Sequence, residues 1–144
     1  MRVLVAGGGT AGHVFPAIAL AHELASAGHE VRFAGTSAGQ EGRLVRDAGF
    51  ELAIVEARPL ERAFSLRALA APLAAVRSVK ACRPLVEAAE IVVGMGGYVS
   101  VPVVLAALRS RCPVVLHEQN AVPGLANRTF ARPARVVALA FAEA

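Results

Sequence analysis

The chain has 144 residues, enough for one domain with a single core, and is 56% hydrophobic with only 5% aromatics and a mean hydropathy of +0.54. That composition excludes disorder, and no charge-free run of about 18 apolar residues suited to a membrane span is read in it, the longest candidates being cut by Arg67, Arg77, Lys80 or Arg109. A net charge of +4 suits an anionic partner, whether phosphate, nucleic acid or a membrane surface, without choosing among them.

Val3, Leu4 and Val5 form a short apolar run suited to a strand buried on both faces of a parallel sheet, and from Pro16 onward Ala17, Ile18, Leu20, Ala21 and Leu24 recur at helical spacing. Between them, "GGGTAGH" sets Gly7, Gly8, Gly9 and Gly12 beside Thr10 and His13. Glycine permits positive φ and close backbone approach, and such a turn aims unpaired helix amides beyond the sheet edge. A bound phosphate or other anion is one reading of the turn; a tight strand-to-helix connection is the other. Gly28 predicts the helix end, and "HEVRFAGT", with Val31 and Phe33 alternating with polar residues, predicts a second strand. "GQEGRLVRDAG" reads as a short helix closing at Gly49, and "FELAIVEA" as a third strand. This order implies right-handed crossovers in a parallel sheet.

Residues 64–82, "FSLRALAAPLAAVRSVKAC", read as a helix that Pro72 either kinks or restarts. "AEIVVGMGGYVSVPVVLAAL" gives a fourth strand, a second glycine turn and a helix; "CPVVLHEQN" gives a fifth strand and "ARVVALAF" a sixth. The predicted fold class is α/β, a doubly wound, mostly parallel Rossmann-like sheet forming one domain over 1–144. Cys82 and Cys112 have no ligand spacing and His13, His22, His29 and His117 are scattered, so no metal site is expected. Met1-Arg2 leads directly into a strand, which predicts no signal peptide and a cytoplasmic chain with free thiols.

Ligands of such sheets bind beyond the carboxyl ends of the strands, where "GGGTAGH", "GMGGYVS" and "HEQN" all fall. Two glycine turns, the second carrying Gly94, Gly96 and Gly97, suit two phosphates or one diphosphate; close helix packing is the competing cause. His117, Glu118, Gln119 and Asn120 follow "PVVL" directly and cannot all enter the core. Glu118 and Asn120 suit hydrogen bonds to sugar hydroxyls or an amide, whereas His117 reads equally as a satisfied structural group. His13 suits a general base on a hydroxyl once a carboxylate orients it. "GGGTAG" also satisfies the dinucleotide pattern through Gly7, Gly9 and Gly12, but "RFAGTSAGQE" supplies no acidic residue at the second strand's tip to hold a ribose.

"GGGTAGHVFPAIALAHEL", "AGTSAGQEGRLV", "GMGGYVSVP" and "VVLHEQNAVPGLANR" together resemble, in order and over nearly the whole chain, the N-terminal half of the MurG family of bacterial N-acetylglucosaminyltransferases. The resemblance implies one half of a GT-B fold, with the C-terminal donor domain absent from this chain, which alone is expected to be inactive. It implies transfer of GlcNAc from UDP-GlcNAc to lipid I, undecaprenyl-diphospho-N-acetylmuramoyl pentapeptide, making lipid II for peptidoglycan with inversion at the anomeric centre. No tightly bound cofactor and no nucleic-acid partner are implied. Thr10, Ala11, Gly12 and Asn120 are expected to touch the donor, and Gly8, Gly9, Gly96, Gly97 and Tyr98 the acceptor diphosphate. Gln119 and Asn127 are expected to line the acceptor side, with His13 or Glu118 taking the proton of the acceptor's 4-hydroxyl. The loop at 57–65, "ARPLERAFS", departs from the family pattern in lacking Gly- and Lys-rich sequence.

A lipid-linked acceptor implies a peripheral position on the cytoplasmic face of the bacterial membrane. Leu66, Leu69, Leu73 and Val76 offer an apolar stripe, and Arg62, Arg67, Arg77, Lys80 and Arg83 would meet anionic head groups. A core-facing helix with a solvated basic side is the other reading of that segment. Two further functions compete with the enzyme half-site. One is a stand-alone acceptor-binding or anchoring module of a split glycosyltransferase; the other is a nucleotide-binding oxidoreductase domain.

Overall fold

The computed structural model describes residues 1–37, 41–57 and 66–143, except the side chains of 66–72. Six strands, β1 (Arg2–Ala6), β2 (Glu30–Gly35), β3 (Glu51–Ile54), β4 (Ile91–Gly94), β5 (Val114–Glu118) and β6 (Val136–Leu139), form one parallel sheet in the order β3-β2-β1-β4-β5-β6. The strand order reverses between β1 and β4, which creates a crevice at their carboxyl ends. The register pairs Ala6 with Gly94, so the two glycine turns leave the sheet side by side. Gly94 pairs with Leu116, leaving His117 and Glu118 to project β5 two residues further.

Alternate residues of each strand enter two cores, as the period of two requires. Val3, Val5, Phe33 and Val93 pack beneath α1 (Ala11–Ser26) and α2 (Glu41–Asp47), through Val14, Ala17, Ala21 and Val45. Leu4, Ala6, Val92 and Leu116 face α3 (Leu66–Glu87), α4 (Gly97–Arg109) and α5 (Leu125–Phe130). Each fully buried Val or Leu side chain in these layers stabilises the fold by about 1.5–3 kcal/mol. Cys82, on the core-facing side of α3, is wholly buried, and that burial pushes its thiol up to about 11. Both cysteines are free.

Three boundaries differ from the sequence expectation. α1 begins at Ala11, five residues before Pro16, so Gly12 and His13 belong to its first turn and the glycine loop proper is only Gly7–Gly9. Thr10 is the N-cap in extended conformation, and its carbonyl accepts from the His13 and Val14 amides at 3.1 and 3.3 Å. α3 continues past position 72 without restarting and runs beyond Cys82 to Glu87, because Val86 still reaches the core. The short helix α5 follows "HEQN", where no helix was expected. Gly28 and Gly49 behave as expected: each has φ above +80°, and at Gly28 the amides of Gly28 and His29 return to Ala25 and Leu24 oxygens at 2.9 and 3.0 Å. Among the described residues no helix is long and apolar enough to cross a membrane.

Candidate functional site

The two glycine turns meet, and most of their glycines are required by the protein itself. A Cβ on Gly7 would lie 2.7 Å from Met95 Cβ, and one on Gly8 would lie 2.6 Å from Glu41 Oε1. Gly9 has φ +84, and its Cβ would fall 2.5 Å from the Tyr98 ring. In the second turn, Gly94 leaves room for Val104 and Leu116, and a Cβ on Gly97 (φ +74) would come within 3.0 Å of Gly8 O. The imidazole of His13 lies over Gly96 and Gly97, 3.4 to 3.6 Å from where their Cβ atoms would be. These close approaches narrow the diphosphate reading of Gly8 and Gly9, since the Gly9 amide already donates to Glu41 Oε2 at 3.3 Å.

Gly12 is the exception. It is exposed on the first turn of α1, and a Cβ there meets nothing nearer than Thr10 Oγ1 at 3.8 Å. Glycine in a helix costs about 0.5–1 kcal/mol relative to alanine, and nothing among the described residues requires it. Beside it, Thr10 makes no side-chain cap but holds His13 Nδ1 at 2.7 Å through Oγ1. Desolvation lowers the His13 pKa below the ordinary histidine value, partly countered by the negative charge of Glu118. His13 is therefore neutral at pH 7, with one nitrogen fixed by Thr10.

Glu118 lies on the α4 side of β5 and is 1% exposed. Its Oε1 accepts from the Asn120 backbone amide (3.0 Å) and Asn120 Nδ2 (2.9 Å); its Oε2 accepts from the Gly124 amide and Asn127 Nδ2, both at 2.9 Å. Desolvation raises its pKa, but these four donors outweigh it and hold the carboxyl below the usual range. A carboxylate so occupied shapes the β5–α5 loop; it has no free lone pair aimed at a substrate proton. Asn127 also donates to His117 O at 3.0 Å, which fixes the orientation of its amide. Its Oδ1 is buried without a partner among the described residues, as are His117 Nδ1 and Gln119 Oε1. Three unpaired polar atoms thus gather around the tip of β5, matching the polar "HEQN" signal.

Glu41 was not singled out from the sequence, where it reads as an ordinary acid at the head of a short helix. It is completely buried and accepts the Thr36 amide (3.1 Å) and hydroxyl (2.6 Å) on Oε1. Desolvation pushes its pKa up, but the Thr36 hydroxyl and the backbone amides of Glu41, Thr36 and Gly9 together leave it lowered. Of the α3 stripe, Leu73 is 64% and Val76 44% exposed, with Arg77 and Lys80 also exposed, which removes the core-facing reading for that half. Arg83 is engaged by Glu87 at 2.6 Å. The side chains of Leu66, Arg67 and Leu69, together with Arg62 and residues 58–65 of the unusual loop, lie outside the described residues.

Comparison with known proteins supplies relatives for this arrangement. The model of the glycosyltransferase family 28 N-terminal domain matches residues 3–139. The "UDP-N-acetylglucosamine--N-acetylmuramyl-(pentapeptide) pyrophosphoryl-undecaprenol N-acetylglucosamine transferase" of Shewanella pealeana is 43% identical over 142 residues, covering 97% of this chain and 39% of that protein. The enzyme of the same name from Cutibacterium acnes is 44% identical over 143 residues, covering 98% of this chain and 38% of its own length. The crystal structure of Acinetobacter baumannii MurG superposes with a TM-score of 0.83 at 34% identity, over 97% of this chain and 40% of that one. SsfS6, a Streptomyces glycosyltransferase solved with thymidine diphosphate, shares the fold at a TM-score of 0.64 and 21% identity, over 92% of this chain and 44% of its own. The chain thus spans under half the length of the relatives it matches.

Proposed function

The chain belongs to the glycosyltransferase family 28 N-terminal domain family, and from that membership we propose that it is the acceptor-side domain of a UDP-GlcNAc-dependent transferase. The full enzyme would add GlcNAc to lipid I and so make lipid II for peptidoglycan, with a second domain holding most of the donor. The observation that carries this reading is Gly12, an exposed helical glycine that nothing among the described residues requires, flanked by Thr10 and His13. A ligand approaching the first turn of α1 supplies that cause, and the turn's unpaired amides favour anionic or polar groups.

In this reading His13 is the general base. It is neutral at pH 7, and the acceptor's 4-hydroxyl gives up its proton to the ring nitrogen not engaged by Thr10 as that oxygen attacks the anomeric carbon and UDP departs. Glu118 stabilises the imidazolium that forms and holds the β5–α5 loop, so it is a positioning residue and the alternative assignment of the base to it is set aside. Gln119 and Asn127 would line the acceptor side, with Asn127 holding the tip of β5 through His117 O and Glu118. Thr10, Ala11, Gly12 and Asn120 would meet the donor. The acceptor diphosphate would sit on the backbone amides at the start of α1, with the donor meeting the side chains and Cα faces of the same turn, and on the amides of Gly97 and Tyr98. Leu73, Val76, Arg77 and Lys80 would rest on an anionic membrane surface at the cytoplasmic face.

The direct test is UDP release by the full-length protein supplied with UDP-GlcNAc and a lipid I analogue. Release that depends on both substrates is expected; absence of release with a folded protein overturns the proposal.

A further inference from the structure

Glu41 plays no part in the chemistry above, yet it is completely buried against the loop that carries the site. The Thr36 amide and hydroxyl, the Gly9 amide and its own backbone amide reach it, and among the described residues no cation pairs with it. Burying a carboxylate without a counter-charge is costly. Gly35 and Gly8 both make room for it: a Cβ on Gly35 would lie 3.0 Å from Glu41 Cγ, and one on Gly8 2.6 Å from Oε1. The hydrogen bonds hold it ionised, so a full negative charge stands beneath the turn.

We propose that Glu41 is a positioning and specificity residue: it fixes the Gly7–Gly9 turn from beneath and repels the substrate's anionic group from Gly8 and Gly9, directing it to the first turn of α1 and to Gly97–Tyr98. The proposal rests on the diphosphate reading of the site and refines it. A negative charge held by hydrogen bonds in a water-poor setting, with no counter-ion among the described residues, acts over several ångströms with little screening. The same glycine pattern that elsewhere cradles phosphate is here closed to it, because the amide of Gly9 is occupied and the Cα face of Gly8 abuts a carboxylate. At the second turn the buried Glu118 acts on His13, but four donors occupy its two oxygens and no glycine of that turn abuts it.

The test is titration of the isotope-labelled chain with inorganic pyrophosphate, followed by backbone amide NMR, in the wild type and in Glu41→Gln. The wild type should show shifts at Ala11, Gly12, Gly97 and Tyr98 and none at Gly8 or Gly9. In Glu41→Gln the shifts should spread to Gly8 and Gly9 and the affinity should rise severalfold. An unchanged map and affinity in a folded Glu41→Gln protein overturns the steering role. Thr36→Val, which keeps the charge but removes the shortest bond to it, tests the positioning role should Glu41→Gln fail to fold. Severalfold faster hydrogen exchange at the Gly9 amide, with Val5 and Val92 unaffected, is expected, and unchanged exchange at Gly9 overturns that role. Pyrophosphate that shifts no amide in either protein removes the diphosphate reading and the steering with it, leaving Thr36→Val to decide whether Glu41 positions the turn.

Discussion

Gly9 and Gly12 stand three residues apart in one motif and are glycine for opposite reasons. Gly9 has a left-handed backbone and the Tyr98 ring against it, so the protein itself demands it. Gly12 is helical, exposed and uncrowded, so the fold would be better served by alanine. A glycine-rich turn is therefore not one signal but two, a packed half that holds two loops together and an open half that faces a ligand. Only the second half speaks directly about function.

The largest consequence falls on the open half. His13→Ala in the full-length enzyme should lower turnover by about a hundredfold or more, the usual scale for losing a general base, with urea midpoints nearly unchanged; retained turnover would remove His13 from the chemistry. The packed half should respond in stability. Gly9→Ala should cost about 2 kcal/mol through backbone strain and the Tyr98 collision, and Gly9→Ala with Tyr98→Ala should recover only the steric part.

Acid sharpens the contrast without mutation. The lowered His13 pKa means that the unfolded chain takes up its proton first, so stability declines as pH drops through 6.5. Glu41 and Glu118 are also lowered, so their contribution is present above pH 4.5 and disappears as pH falls through their folded values. Denaturant titrations should follow this single direction, and Glu118→Gln should flatten the acid limb. A smaller effect is expected at Gly12→Ala, which should stabilise the chain by about 0.5–1 kcal/mol while lowering turnover. A destabilised Gly12→Ala would erase the distinction drawn above. The smallest effect concerns α3: Leu73→Ser with Val76→Ser should weaken binding to anionic vesicles severalfold and leave unfolding unaltered, because both side chains are already exposed.

The sheet, its helices and the three polar strand tips were legible in the sequence because each rests on local periodicity and turn chemistry. The doubly wound arrangement brings the glycine turns after β1 and β4 together, as the convergence argument required. The role of each glycine was not legible, since whether Cβ is excluded by a neighbour or spared for a ligand depends on which side chain arrives from elsewhere. Glu41 escaped notice for the same reason. "GQEGRLV" has the polarity of a solvated helix start, and only the packing of β2 against β1 carries that residue beneath Gly8. Pro16 misplaced the start of α1, because the N-cap Thr10 was read as a ligand contact alone.

Cys82 gives this protein an internal clock. A thiol sealed in the core and reluctant to ionise reacts with disulfide reagents only while the α3 layer lifts away. The rate at which that one sulfur is modified in native buffer therefore counts the opening events of the domain, and substrates that clamp the crevice should be seen to slow it.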